Sequence, residues 1–116
     1  MNERRSAILR VDRRSRGAAV IVVVDGEVDL ASAPLLKAGL AQARQEDPDV
    51  LVVDLSEVGF FGSAGLSLLA EASELDPRHA LRVVATGGPL RAIQLAAMDQ
   101  ILDVFATVEA ALGSSE

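Results

Sequence analysis

Residues 18–24 read Ala-Ala-Val-Ile-Val-Val-Val, an apolar and largely β-branched run that meets no polar residue until Asp25. A strand with one wet face alternates between apolar and polar residues. An unbroken run of this kind belongs to a strand covered on both faces. The rest of the composition agrees: half of the 116 residues are apolar, mostly Val, Leu, Ala and Ile, with three Phe and no Trp or Tyr. Branched aliphatic side chains fill a thin layer between sheet and helix without needing polar partners. The length suits one compact domain over residues 1–116.

The pattern along the chain predicts strand and helix in alternation. Ala7 to Val11 reads as a first, edge strand, and Asp12 to Gly17 as a polar turn. Ala18 to Val24 returns as the second strand of a hairpin. Leu35, Leu36, Ala38, Gly39, Leu40 and Ala43 then follow at helical spacing, with Ser32 or Ala33 near the cap and Pro34 in the first turn. Asp47-Pro48-Asp49 ends that helix, and Val50 to Leu55 forms a third strand. A second helix is expected from Ser63 to Leu75, with Leu66, Leu69, Ala70 and Ser73 on one face, stopped by Asp76-Pro77. Leu81 to Ala85 reads as a strand, and Gly87-Gly88-Pro89 leads into a helix bearing Leu90, Ile93 and Ala97. Ile101 to Phe105 is a short last strand, and Thr107 caps a terminal helix through Leu112. Residues 1–6 read as a flexible arm and residues 113–116 as a frayed tail. This order gives an α/β fold: a mixed, mostly parallel sheet of four to five strands packed with about four helices.

Several function classes are disfavoured by these residues. The net charge of −6 argues against generic nucleic-acid binding, as does the lack of aromatic stacking platforms. The basic residues Arg4, Arg5, Arg10, Arg13, Arg14 and Arg16 allow a nucleic-acid or membrane contact, but read more readily as a solvated arm and hairpin turn. With one histidine and no cysteine, neither a disulfide nor a transition-metal site is expected. No apolar stretch reaches membrane-spanning length, so no membrane insertion is expected. The amino terminus carries charges with no apolar core behind them, which argues against a secretory signal and for the cytoplasm. Gly87-Gly88-Pro89 lacks the spacing and the lysine of a phosphate-binding loop.

In a sheet of this kind, sites form where strands end and helices begin. Two segments fall there: Asp25 to Ala31 after the second strand, and Val58 to Leu66 after the third. In the latter, Gly62 and Gly65 bracket Ser63 at the expected helix start. A serine there lies beside N–H groups without helical partners and at the positive end of the helix dipole, a place that accepts a phosphate. The same residues also read as an ordinary serine cap between turn glycines. Asp29 reads either as a carboxylate serving Ser63 or a partner's basic group, or as a capping acid before Ser32 and Pro34. A catalytic Ser63 is disfavoured. Phe61 stands where a nucleophile elbow needs glycine, and His79 follows the far end of the helix that Ser63 starts, about 18 Å away. No catalytic residue, cofactor or metal ligand is expected.

Three segments together carry a resemblance. Gly26-Glu27-Val28-Asp29-Leu30-Ala31-Ser32-Ala33-Pro34, then Val52 through Leu66, then Ala97 through Phe105 resemble, in order and spacing, segments of the STAS-domain anti-sigma factor antagonists. The resemblance implies that Ser63 is the serine phosphorylated by a cognate anti-sigma factor that is also a serine kinase, and that Asp29 is the acidic residue beside it. It implies a docking surface of Glu27, Asp29, Gly62, Ser63, Ala64 and Gly65, and a PP2C-type phosphatase that reverses the modification. The family usually has aspartate before the serine and serine or threonine after it; here Gly62 and Ala64 take those places. Ser63 is then the only acceptor in the loop. The missing aspartate supports an alternative expectation, a constitutive STAS interaction subunit of a transport ATPase or signalling assembly without phosphorylation.

Overall fold

A computed structural model describes residues 9–75 and 81–113. The described residues form a five-stranded sheet in the order β1-β2-β3-β4-β5. The elements are β1 (Leu9–Arg16), β2 (Ala19–Val28), α1 (Ala33–Arg44), β3 (Val50–Phe61), α2 (Ser63–Leu75), β4 (Arg82–Val84), α3 (Gly87–Leu95), a 3-10 turn (Met98–Gln100), β5 (Asp103–Phe105) and α4 (Val108–Ala111). β1 is antiparallel to β2, and the remaining neighbours are parallel. The α/β class and the mixed sheet match the expectation. The arm over residues 1–6, the strand start at Ala7, the Asp76-Pro77 stop, His79 and residues 114–116 lie outside the described residues.

The parallel strands β2 to β5, laid down in sequence order and each joined to the next through a helix, place those helices on one face when every crossover has the same hand. The core divides accordingly. On one face Val20, Val22, Val24, Leu51, Val53 and Leu55 pack with Leu36 and Leu40 of α1, Leu68 and Leu69 of α2 and Ile93 of α3. On the other, Ile21, Val52 and Val84 pack with Ala111 of the short α4. The central run of residues 18–24 thus has apolar cover on both sides.

Several boundaries and one helix face differ from the pattern-based reading. β1 continues through Asp12 to Arg16, and the turn shrinks to Gly17 and Ala18, with Arg16 opposite Ala19 and Gly17 at φ +60°. The polar residues read as a turn are the exposed side chains of an edge strand, which needs only its ladder bonds. β2 runs on to Val28 and β3 to Phe61, paired through two register shifts. Their outer halves carry exposed Asp25, Glu27, Ser56 and Glu57, so hydrophobic periodicity fades while hydrogen bonding persists. On α2 the buried residues are Gly65, Leu68, Leu69 and Ala72. Of the face expected there only Leu69 is buried, because a 3.6-residue period leaves two adjacent stripes nearly equal in a sequence this apolar. Ala97, expected on the third helix, lies beyond its end with φ +58°.

The edge strand is held to α1. Arg13 pairs with Glu46 and donates to Gln42 Oε1 at 3.0 Å. Val11 packs where α1 has Gly39: a Cβ at Gly39 would stand 2.6 Å from Val11 Cγ1. Gly39→Val therefore overpacks this contact and is expected to lower unfolding free energy by about 1–3 kcal/mol in urea titration. Adding Val11→Ala should recover part of that loss; equal losses with and without Val11 would place the strain elsewhere.

Candidate functional site

The site is built where β2 and β3 end together. Glu27 pairs with Phe60 and Val28 with Phe61, and the Gly62 N–H then donates to the Val28 carbonyl at 3.0 Å. The Gly62 carbonyl accepts from Gly65 N–H at 3.0 Å and Leu66 N–H at 3.1 Å, so α2 begins there. Ser63 is its first residue and is exposed, as the glycine-flanked serine predicted. Gly65 is buried. A Cβ there would meet the Phe61 ring at 2.7 Å and Val28 Cγ1 at 3.0 Å, so this glycine lets the first turn of α2 sit on the core.

The facing wall is the turn from β2 into α1. Asp29 Oδ1 accepts from Ser32 N–H at 2.9 Å and from Ser32 Oγ at 3.0 Å. Ser32 Oγ in turn accepts from Asp29 N–H at 3.0 Å and approaches the Glu27 carbonyl at 2.8 Å. The Ala33 N–H reaches the Asp29 carbonyl at 2.9 Å, and Pro34 sits in the first turn without needing a donor. The hydrogen bonds of the Asp29 carboxylate lie within its own turn, to the N–H and hydroxyl of Ser32, the residue that precedes α1. Those bonds, from the Ser32 N–H first and its hydroxyl second, hold the carboxyl below its ordinary value and keep it ionised.

Asp29 and Ser63 nevertheless line one groove of about 860 Å³ between the starts of α1 and α2. Gly62 and Ala64 join them; Glu27 is exposed and Gly65 is buried, and neither lines the groove. The rest of the lining was not singled out from sequence. Leu30, Pro34 and Phe60 supply apolar rim, and Lys37 of α1 faces Glu71 of α2 with their charged atoms 4.0 Å apart. Leu30 is 84% exposed and Phe60 52%. An apolar residue inside a polar loop was the available signal for Leu30. Lys37 and Glu71 gave none, since only packing brings the two helices together. Among the described residues no cluster of His, Cys, Asp or Glu could hold a metal, and no helix is long and apolar enough to cross a membrane.

Because folding lowers the Asp29 pKa, its contribution to stability is present at neutral pH and is lost as pH falls through the folded-state value. Ser32→Ala removes the hydroxyl that donates to it. The expected result is an upward move of the Asp29 carboxyl titration, read by carbon-13 NMR, and a smaller acid-side loss of stability. An unmoved titration would show that the hydroxyl does not stabilise the carboxylate.

The profile of the STAS domain matches residues 10–111. The anti-sigma-F factor antagonist RsfB of Mycobacterium tuberculosis is 38% identical over 98 residues, covering 83% of this chain and 80% of that protein. Among solved structures, an anti-sigma factor antagonist from Mycobacterium paratuberculosis superposes with a TM-score of 0.84 at 31% identity, covering 91% of this chain and 92% of the other. The Bacillus cell fate determinant SpoIIAA in its phosphorylated form shares the fold, with a TM-score of 0.62 at 16% identity over 93% of this chain and 99% of the other. A profile spanning residues 10–111, together with a relative 38% identical over 83% of the chain, leaves one assignment: the chain belongs to the STAS domain family.

Proposed function

We propose that this chain is an anti-sigma factor antagonist: it docks on an anti-sigma factor through the groove beside Ser63, and phosphorylation of Ser63 ends that docking. The observation that carries this reading is the placement of the exposed Ser63 hydroxyl at the start of a 13-residue helix, on the wall of a groove with an apolar rim that also holds an ionised carboxylate. The names of the mycobacterial relatives supply the partner class. The kinase is the anti-sigma factor itself, a PP2C-type phosphatase resets the switch, and both act in the cytoplasm.

The physics of the switch is local. Transfer of the ATP γ-phosphoryl group to Ser63 Oγ releases the hydroxyl proton and leaves ADP. It adds about −1.5 to −2 charges. The start of α2 tolerates that charge, since its first N–H groups and the helix dipole favour an anion there. The fold is therefore retained while the docking face changes. A partner that covers Leu30, Phe60 and Ala64 must strip water from the phosphate and bring its surface against two adjacent anions, Asp29 and phospho-Ser63. Affinity falls without any rearrangement of the sheet.

The test uses purified anti-sigma factors from the source organism, with radiolabelled ATP and calorimetry. Wild type is expected to be captured and labelled, and Ser63→Ala captured but unlabelled. Ser63→Asp should bind at least roughly tenfold more weakly, as a like charge in an interface costs on the order of kcal/mol. Equal binding by Ser63→Asp would reject the switch. Capture with no labelling of wild type would favour the constitutive interaction subunit instead.

A further inference from the structure

Phe60 and Phe61 are consecutive, yet they part company. Phe61 is 6% exposed, with its ring against Gly65 in the core. Phe60 is 52% exposed at the groove, and its ring lies over Gly62. A Cβ at Gly62 would stand 3.0 Å from Phe60 Cε2 and 3.1 Å from Cζ. The glycine cannot retreat, because its N–H is tied to the Val28 carbonyl at 3.0 Å and its carbonyl receives the first bonds of α2. A side chain at position 62 would therefore crowd the ring, which would have to give way by a few tenths of an ångström at least. Each phenylalanine has a glycine as its seat; one pair serves the interior and the other faces the groove.

We propose that Phe60 and Gly62 form one recognition unit, in which the glycine seats the Phe60 ring at the groove rim and the seated ring is the aromatic anchor for the anti-sigma factor. The inference rests on the docking role assigned above and adds to it the residue that supplies affinity and the one that holds it in place. Aromatic side chains on an apolar rim gain most from burial against a partner and lose few rotatable bonds in doing so. A ring already held in its bound position avoids the ordering cost that a free side chain would meet on docking. The missing side chain at position 62 is then what leaves the ring close against the backbone next to Ser63.

The experiment compares Phe60→Ala, Gly62→Val and the double variant with wild type in calorimetry against the anti-sigma factor that captures wild type, with each variant's fold checked by circular dichroism. Phe60→Ala should weaken binding about tenfold or more. Gly62→Val should weaken it in the presence of Phe60 and add nothing when Phe60 is already alanine. In the free protein, the Phe60 ring-proton shifts should move on Gly62→Val. Wild-type affinity in Phe60→Ala, an equal loss from Gly62→Val in both backgrounds, or unmoved ring signals would each overturn the recognition unit while leaving the docking role intact. Failure of wild type to bind any anti-sigma factor would instead remove the proposed function and the anchor with it.

Discussion

The parallel pairing of β2 with β3 is the contact on which the rest of this molecule depends. It begins at Ala19 opposite Val50, passes two register shifts, and ends at Val28 opposite Phe61. One more bond, from Gly62 N–H to the Val28 carbonyl, closes it. Because both strands stop at the same level, the helices that follow them start side by side. Asp29 and Ser63, 34 positions apart in the chain, come to share a groove for that reason alone. The buried valines of the two strands supply the apolar area that makes the pairing favourable, at roughly 25 cal/mol per Å² removed from water.

Around that pairing, charge is arranged in two different ways. On β1 the arginines sit on an edge, where exposed positive side chains discourage a second strand from adding to the sheet. Arg13 is tied back to α1 through Glu46 and Gln42, while Arg10, Arg14 and Arg16 face solvent. At the groove, by contrast, one carboxylate is fixed by local hydrogen bonds within its own turn. Ser32 holds Asp29 ionised and in place without using Ser63, so the serine hydroxyl stays open to solvent. The position of that anion therefore does not depend on Ser63.

Much of this was legible in the residues. Ser63 starts a helix because Gly62 and Gly65 flank it before an apolar run, and Pro34 marks the first turn of α1 because no other helical position tolerates proline so well. The alternation of apolar runs with helical spacing determined the α/β class and the strand order's parallel character. Where polar side chains cover paired backbone, the pattern is silent: β1 past Val11, β2 past Val24 and β3 past Leu55 read as loops, since side-chain pattern reports burial and ladder bonds do not require it.

What the tertiary structure alone decided is the composition of the groove and the orientation within it. Leu30, Lys37, Phe60 and Glu71 come from four elements or turns, and no local signal links them. The division of two adjacent phenylalanines between core and rim has the same origin, because it is set by which backbone each ring meets after the strand ends. The sequence by itself determined where helices and strands begin and that a lone hydroxyl stands at one helix start. Packing decided which surface surrounds that hydroxyl, since a surface is a property of elements brought together and periodicity is a property of one element at a time.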